Sequence, residues 1–255
     1  MHKFNFKLGE HYFKIQAESA SLINLFLSTF STVKKTEQKT IDMTVNLHYV
    51  IPAMYSDSSI NLEKSKYNFR QDNFIIDINP EYNSTNLYII DSSSLRQAFL
   101  TIYSSFIVHQ KWGLLLEADC IFDQQSVHML CGDYGEPSAQ SMDAHNFFSK
   151  PLVLIKILPE HSFVLEFPFG SAGLERASDS LPVSSLCFLQ RSFENKRITV
   201  GRTYSLLRLL DLVFYWPRST EQTKSVIHLL KLLIHQVSIF NCYFQNKEAV
   251  RELIS

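Results

Sequence analysis

The chain has 255 residues, 45% of them hydrophobic and only 19% charged, with a formal net charge of −1; that length buries a substantial core in one large domain or two small ones. The balance lacks the basic excess with which nucleic-acid binders neutralise phosphates. The longest apolar runs, residues 206–215 and 226–234, are broken by Arg208, Asp211, His228 and Lys231 and are too short to span a bilayer, so neither nucleic acid nor membrane is expected as a partner.

The first residues alternate Phe4, Phe6 and Leu8, turn at Gly9-Glu10 and resume with Tyr12 and Phe13, which predicts a hairpin rather than a secretory signal. A cytoplasmic protein is the expectation. Residues 19–30 place Leu22, Ile23, Phe26, Leu27 and Phe30 on one helical face behind Ser19 or Ser21 as a cap. Strands are expected at 41–51, 66–78 and 86–90, with 52–66 as a loop, then a helix at 92–109 opening on serines. Two β-rich runs follow, 113–122 and 125–131, joined by Asp123-Gln124. The chain then passes through Gly132-Asp133-Tyr134-Gly135-Glu136-Pro137-Ser138 into a short helix at 138–148. Strands at 152–158, 162–167 and 184–190 precede helices at 199–214 and 219–235, a strand at 238–244 and a last helix at 247–254. The mixture gives an α/β class, mixed α+β, with a β-rich part at 1–90 and a second part at 91–255, or one continuous domain. Cys120, Cys131, Cys187 and Cys242 show no paired spacing and are expected as free thiols. No cofactor is expected.

Two stretches together resemble the HPr kinase/phosphorylase and PEP-carboxykinase-like P-loop family. Gly113-Leu114-Leu115-Leu116-Glu117-Ala118-Asp119-Cys120 is similar to the family's first strand, with Glu117 where its histidine stands. Residues 126–132, Ser-Val-His-Met-Leu-Cys-Gly, resemble the strand entering its Walker A loop, and residues 181–192 resemble its later Pro-x-x-x-x-x-Phe-Leu strand. The resemblance covers roughly residues 90–255 and implies a PEP-carboxykinase-like P-loop core.

A Walker A loop curls backbone N–H groups around phosphate, a lysine reaches the outer phosphates, and a Ser or Thr holds magnesium. Laid on the family pattern, this chain keeps Gly132 and Gly135 but has Pro137 for the third glycine, Ser138 for the lysine and Ala139 for the magnesium ligand. Pro137 removes an N–H from the cradle, Ser138 carries no charge, and Ala139 offers no oxygen. Asp133 and Glu136 add like charge beside a polyanion, at roughly 4 kcal/mol for unit charges about 4 Å apart in an effective dielectric near 20. The family's acidic pair falls on Lys150-Pro151, with Asp143 and His145 nearby as displaced candidates.

The resemblance therefore implies a catalytically degenerate member, a protein- or peptide-binding or regulatory module without phosphoryl transfer. The alternative is a divergent kinase, or other enzyme on this fold, with a cation relocated to Lys150 or Arg176. Taken alone, the Gly132–Gly135 spacing also suits a plain strand-to-helix turn. Asp119, Asp123, Asp133, Asp143 and His145 suit solvated loops as well as an acid/base cluster, and His228 and His235 suit a helix surface. Phe214-Tyr215-Trp216-Pro217 ends a helix with large rigid side chains, so Tyr215 and Trp216 are the candidate contact for a protein partner or for self-association.

Overall fold

A computed structural model describes residues 1–30, 33–37, 40–50, 67–71, 73–123, 125–132, 152–165, 167, 180–215 and 220–254. The chain is mixed α+β and divides into two compact units, Met1–Phe106 and Ile107–Ser255.

The first unit opens with the expected hairpin, β1 (His2–Leu8) and β2 (His11–Ala17), paired antiparallel from His2↔Ala17 to Leu8↔His11. Helix α1 (Ala20–Thr29) starts where Ser19 Oγ accepts the Leu22 N–H at 3.3 Å, a side-chain cap for one of the helix's orphan donors. Strands β3 (Lys34–Lys35), β4 (Met43–Tyr49), β5 (Tyr67–Gln71), β6 (Phe74–Ile78) and β7 (Ser84–Ile89) complete a sheet of order β3-β1-β2-β4-β7-β6-β5. β2, β4 and β7 run parallel to one another, and the other pairings are antiparallel. The single strand expected at 66–78 is instead the hairpin β5–β6, because the polar stretch after Arg70 breaks the alternation.

Helix α2 (Ser92–His109) occupies the expected span. Asp91 Oδ1 accepts the Ser94 N–H at 2.7 Å while Ser94 Oγ accepts the Asp91 N–H at 2.9 Å, a reciprocal capping arrangement. The division between the units falls in the last turn of this helix.

The alternation of β1 and β2 puts Phe6 and Phe13 on one face, where they meet Phe26 of α1 and Phe99, Tyr103 and Phe106 of α2, while Phe30, the C-cap of α1, packs on Phe26 and Phe99. Six of the chain's 20 phenylalanines thus share one aromatic core with Tyr103. The opposite face is polar: Asn46 Nδ2 donates to Asn86 Oδ1 at 3.1 Å, Asn86 Nδ2 donates to Asp77 Oδ2 at 3.3 Å, and His48 stacks on Tyr88.

The second unit begins with β8 (Gly113–Glu117), β9 (Asp119–Asp123) and β10 (Ser126–Gly132). The run expected as one strand at 113–122 splits at Ala118, because β8 pairs with β11 (Leu152–Ile157) while β9 pairs with β10. β12 (Ser162–Leu165) follows, then the long β13 (Leu181–Arg191). Its first two residues pair antiparallel with β12, and from Val183 onward it runs parallel to β10. One strand thereby joins two pairing patterns.

Beyond it lie β14 (Lys196–Thr199), α3 (Arg202–Leu210), β15 (Val213–Phe214), α4 (Thr220–Gln236), β16 (Ser238–Phe244) and α5 (Lys247–Ile254). The helix expected at 199–214 is shorter. Its start yields to β14, which pairs with β16, and its end yields to β15, which pairs with β8.

The described strands of this unit follow the order β14-β16-β13-β12-β11-β8-β15, with β10 on β13 and β9 on β10. Leu209 of α3 and Val226, Leu229, Leu230 and Leu233 of α4 bury themselves with Leu114, Val153, Leu186 and Phe188. On the other side α5 sets Ala249, Val250 and Ile254 against Leu130, Cys187, Leu189, Cys242 and Phe244. Among the described residues, no helix is long and apolar enough to cross a membrane.

Candidate functional site

β10, β13 and β16 run parallel, and their C-terminal ends are Gly132, Arg191 and Phe244. In open α/β sheets, ligand-binding loops leave from the carboxyl ends of parallel strands. The ends of β13 and β16 are tied together here. Ser192 N–H donates to the Phe244 carbonyl at 2.9 Å, Gln245 N–H donates to Asn195 Oδ1 at 2.9 Å, and the Gln245 side-chain amide donates to the Phe193 carbonyl. At the end of β10 the chain instead leaves through Gly132, the first residue of the expected loop.

Gly132 has φ +128°, and a Cβ there would stand 2.7 Å from the Leu189 carbonyl oxygen. Only glycine takes that backbone conformation without strain and leaves room for β13. This requirement is conformational and stands without any ligand. Gly135, Pro137, Ser138 and Ala139 lie outside the described residues, as do Asp133, Glu136, Asp143, His145, Lys150, Pro151, Arg176 and Trp216.

The remaining expected residues are dispersed. Glu117 ends β8 half-buried, its N–H donating to the Leu212 carbonyl at 2.8 Å. Asp119 and Asp123 lie at the two ends of β9, while His228 and His235 are exposed on α4. Tyr215 is half-buried and packs against the core of this unit.

Instead, the sheet assembles a polar cluster from four strands that sequence spacing did not connect. A register shift after Val127 sets His128 opposite Ser185, the re-aiming that β-bulges commonly produce. His128 Nδ1 and Ser185 Oγ lie 2.8 Å apart, and Ser185 Oγ is 3.9 Å from Cys187 Sγ. Cys242 of β16 approaches Cys187 from the other side. Arg197 of β14 places its guanidinium 3.6 Å over the Phe240 ring and donates from Nη1 to the carbonyls of Leu253 and Ile254, at 2.9 and 3.2 Å. One arginine thus fastens the C-terminal end of α5, where its charge also complements the helix dipole.

Burial lowers the pKa of His128, opposed by the carboxylate of Asp123 and reinforced by Arg197. The Cys242 S–H hydrogen-bonds to Cys187 and lowers the Cys187 thiol; burial opposes that shift, while Ser185 and Arg197 reinforce it. The same bond, with burial, pushes Cys242 up. Cys187 is therefore the polarised thiol of the pair, yet it is fully buried beneath α5. A thiol acts as nucleophile only as an accessible thiolate, so in this arrangement the cluster fastens strands and helix together. Among the described residues, no group of three or more His, Cys, Asp or Glu side chains is placed to hold a metal ion.

No family model matches this chain, and no curated protein matches it.

Proposed function

We propose that this protein is a catalytically degenerate relative of the HPr kinase and PEP-carboxykinase-like proteins, acting as a protein- or peptide-binding or regulatory module. The observation that carries the reading is the passage of β10 into Gly132 alongside the parallel β13. It supports a strand-to-loop entry of the kind the resemblance implies. In sequence, that entry is followed by Pro137, Ser138 and Ala139 in place of the glycine, lysine and hydroxyl that a nucleotide requires.

The test is calorimetry of the full chain with magnesium and ATP or GTP at millimolar concentration. No saturable binding is expected. A dissociation constant below about 10 μM, worth roughly −7 kcal/mol, overturns the reading and favours a kinase with a relocated cation. Combining Pro137→Gly, Ser138→Lys and Ala139→Ser should restore weak nucleotide binding without catalysis, because Lys150-Pro151 still stands in place of the acidic pair.

A further inference from the structure

Where β14 ends, the chain turns through Val200 and Gly201 into α3, and Val200 N–H donates to the Ile239 carbonyl at 3.0 Å. The turn from α4 into β16 lies against this segment. A cavity of about 280 Å³ opens between these elements. Small-molecule pockets commonly measure about 300–1,000 Å³, so a space just below that range suits a small occupant rather than a nucleotide.

Its lining divides by burial. Ile234, Val237 and Ile239 are buried, with Ser205 beside them at 1% exposure. The Ser205 hydroxyl donates to the Gly201 carbonyl at 3.1 Å, so its proton is committed and the deep part of the lining is in effect apolar. Thr199, Arg202, His235 and Ser238 are exposed and form the rim. None of these four side chains has a hydrogen-bond or ion-pair partner among the described residues. An apolar body with a few placed polar groups is the usual make-up of a ligand pocket.

Charge decides the kind of ligand. Among the described residues, no Asp or Glu lines the cavity. The first turn of α3 and the last turn of α4 both border it, so the positive end of one helix dipole and the negative end of the other offset. Arg202 is the fixed charge that remains. A cationic ligand would be repelled by it and a neutral one would leave it unmatched. A phosphomonoester carries about −1.5 to −2 and would lack a second fixed cation. A monocarboxylate matches Arg202 one for one, and a guanidinium holds a carboxylate through two parallel N–H···O bonds.

We propose that this cavity binds a small monocarboxylate with a short apolar tail. The carboxylate sits on Arg202, with Thr199 and Ser238 as hydroxyl donors, and the tail lies on Ile234, Val237 and Ile239. This goes beyond the function proposed above and does not rest on it, since the cavity shares no residue with the loop after Gly132.

The probe is sodium hexanoate, titrated into the isotope-labelled full chain and followed in amide correlation spectra, with hexanol and hexylammonium chloride as neutral and cationic controls. Hexanoate should saturate with a dissociation constant below about 1 mM and shift the amides of Arg202, Ser205, His235 and Ser238 most. Both controls should bind at least roughly tenfold more weakly, and hexyl phosphate more weakly than hexanoate. Arg202 is exposed and unpartnered, so Arg202→Gln should keep the fold by circular dichroism and weaken hexanoate binding at least about tenfold. Should that variant fail to fold, Ser238→Ala removes one rim donor and should weaken binding roughly threefold or more.

Absence of saturable hexanoate binding, shifts centred away from the cavity, equal binding of either control, tighter binding of hexyl phosphate, or unchanged affinity in a folded variant overturns the proposal. Each of these results leaves the degenerate P-loop reading as it stands. Tight nucleotide binding with hexanoate affinity preserved removes that reading and keeps this site.

Discussion

Replacing Gly132 by alanine separates a glycine kept for the backbone from one kept for a ligand. At φ +128° an alanine occupies a conformation that L side chains rarely adopt, and its Cβ would lie 2.7 Å from the Leu189 oxygen, 3.3 Å from the Leu189 nitrogen and 3.4 Å from the Leu189 Cβ. The backbone conformation alone costs about 1–3 kcal/mol. Relieving the contact requires β10 to move off β13 just where the two strands share the pairing Gly132↔Leu189, which adds about 1 kcal/mol of overpacking.

A total of about 2–4 kcal/mol lowers the melting temperature by roughly 5–15 °C for a domain of this size. Gly201→Ala serves as the control, since Gly201 has φ −68° and nothing within 4 Å of an added Cβ; its effect should stay within about 1 kcal/mol. Thermal unfolding of the full chain followed by circular dichroism measures both. A Gly132→Ala protein melting within about 1 °C of the parent refutes the conformational account and returns Gly132 to a role in binding.

The aromatic core of the first unit yields a second expectation. Phe99 is fully buried, with ring centroids 5.1–5.9 Å from Phe30, Phe26, Phe6 and Phe13. Phe99→Ala should cost about 3–5 kcal/mol in urea unfolding, and a loss below about 1 kcal/mol would mean that the rings repack freely. The third concerns pH. Burial holds His128 below its ordinary value of 6.5, so the folded state binds the proton less readily than the unfolded chain. Its contribution to stability is present above pH 6.5 and is lost as pH falls through the lower folded value. Unfolding midpoints should decline on acidification below pH 6.5, and His128→Gln should flatten that decline; an identical profile in the variant would remove His128 from the account.

The elements most legible in the sequence are those whose signals are local. The span of α2 follows from its opening on serines, and the β1–β2 hairpin follows from two alternating runs about Gly9-Glu10. β16 and α5 also occupy their expected spans, Ser238–Phe244 and Lys247–Ile254. The misread elements depend on a distant partner: β14 on β16, β15 on β8, and the break at Ala118 on two different pairings. No window of the chain contains those partners.

The same division runs through the candidate sites. Sequence spacing picked out Gly132 at the end of its strand, but not Leu189, the residue whose backbone makes glycine necessary there. It selected Tyr215 for its size and its neighbours Phe214 and Trp216, but gave no sign that the side chain also packs against the core of its unit. It read four cysteines as unrelated, and sheet register brings Cys187 and Cys242 together beneath α5.

By itself, then, the sequence determined the mixed class, the local elements and the substitutions in the loop pattern after Gly132, because periodicity, caps and residue chemistry are written in adjacent positions. The tertiary structure alone decided which strands pair, which aromatics are exposed and which polar groups meet among the described residues, because strand order and register join residues far apart in the chain.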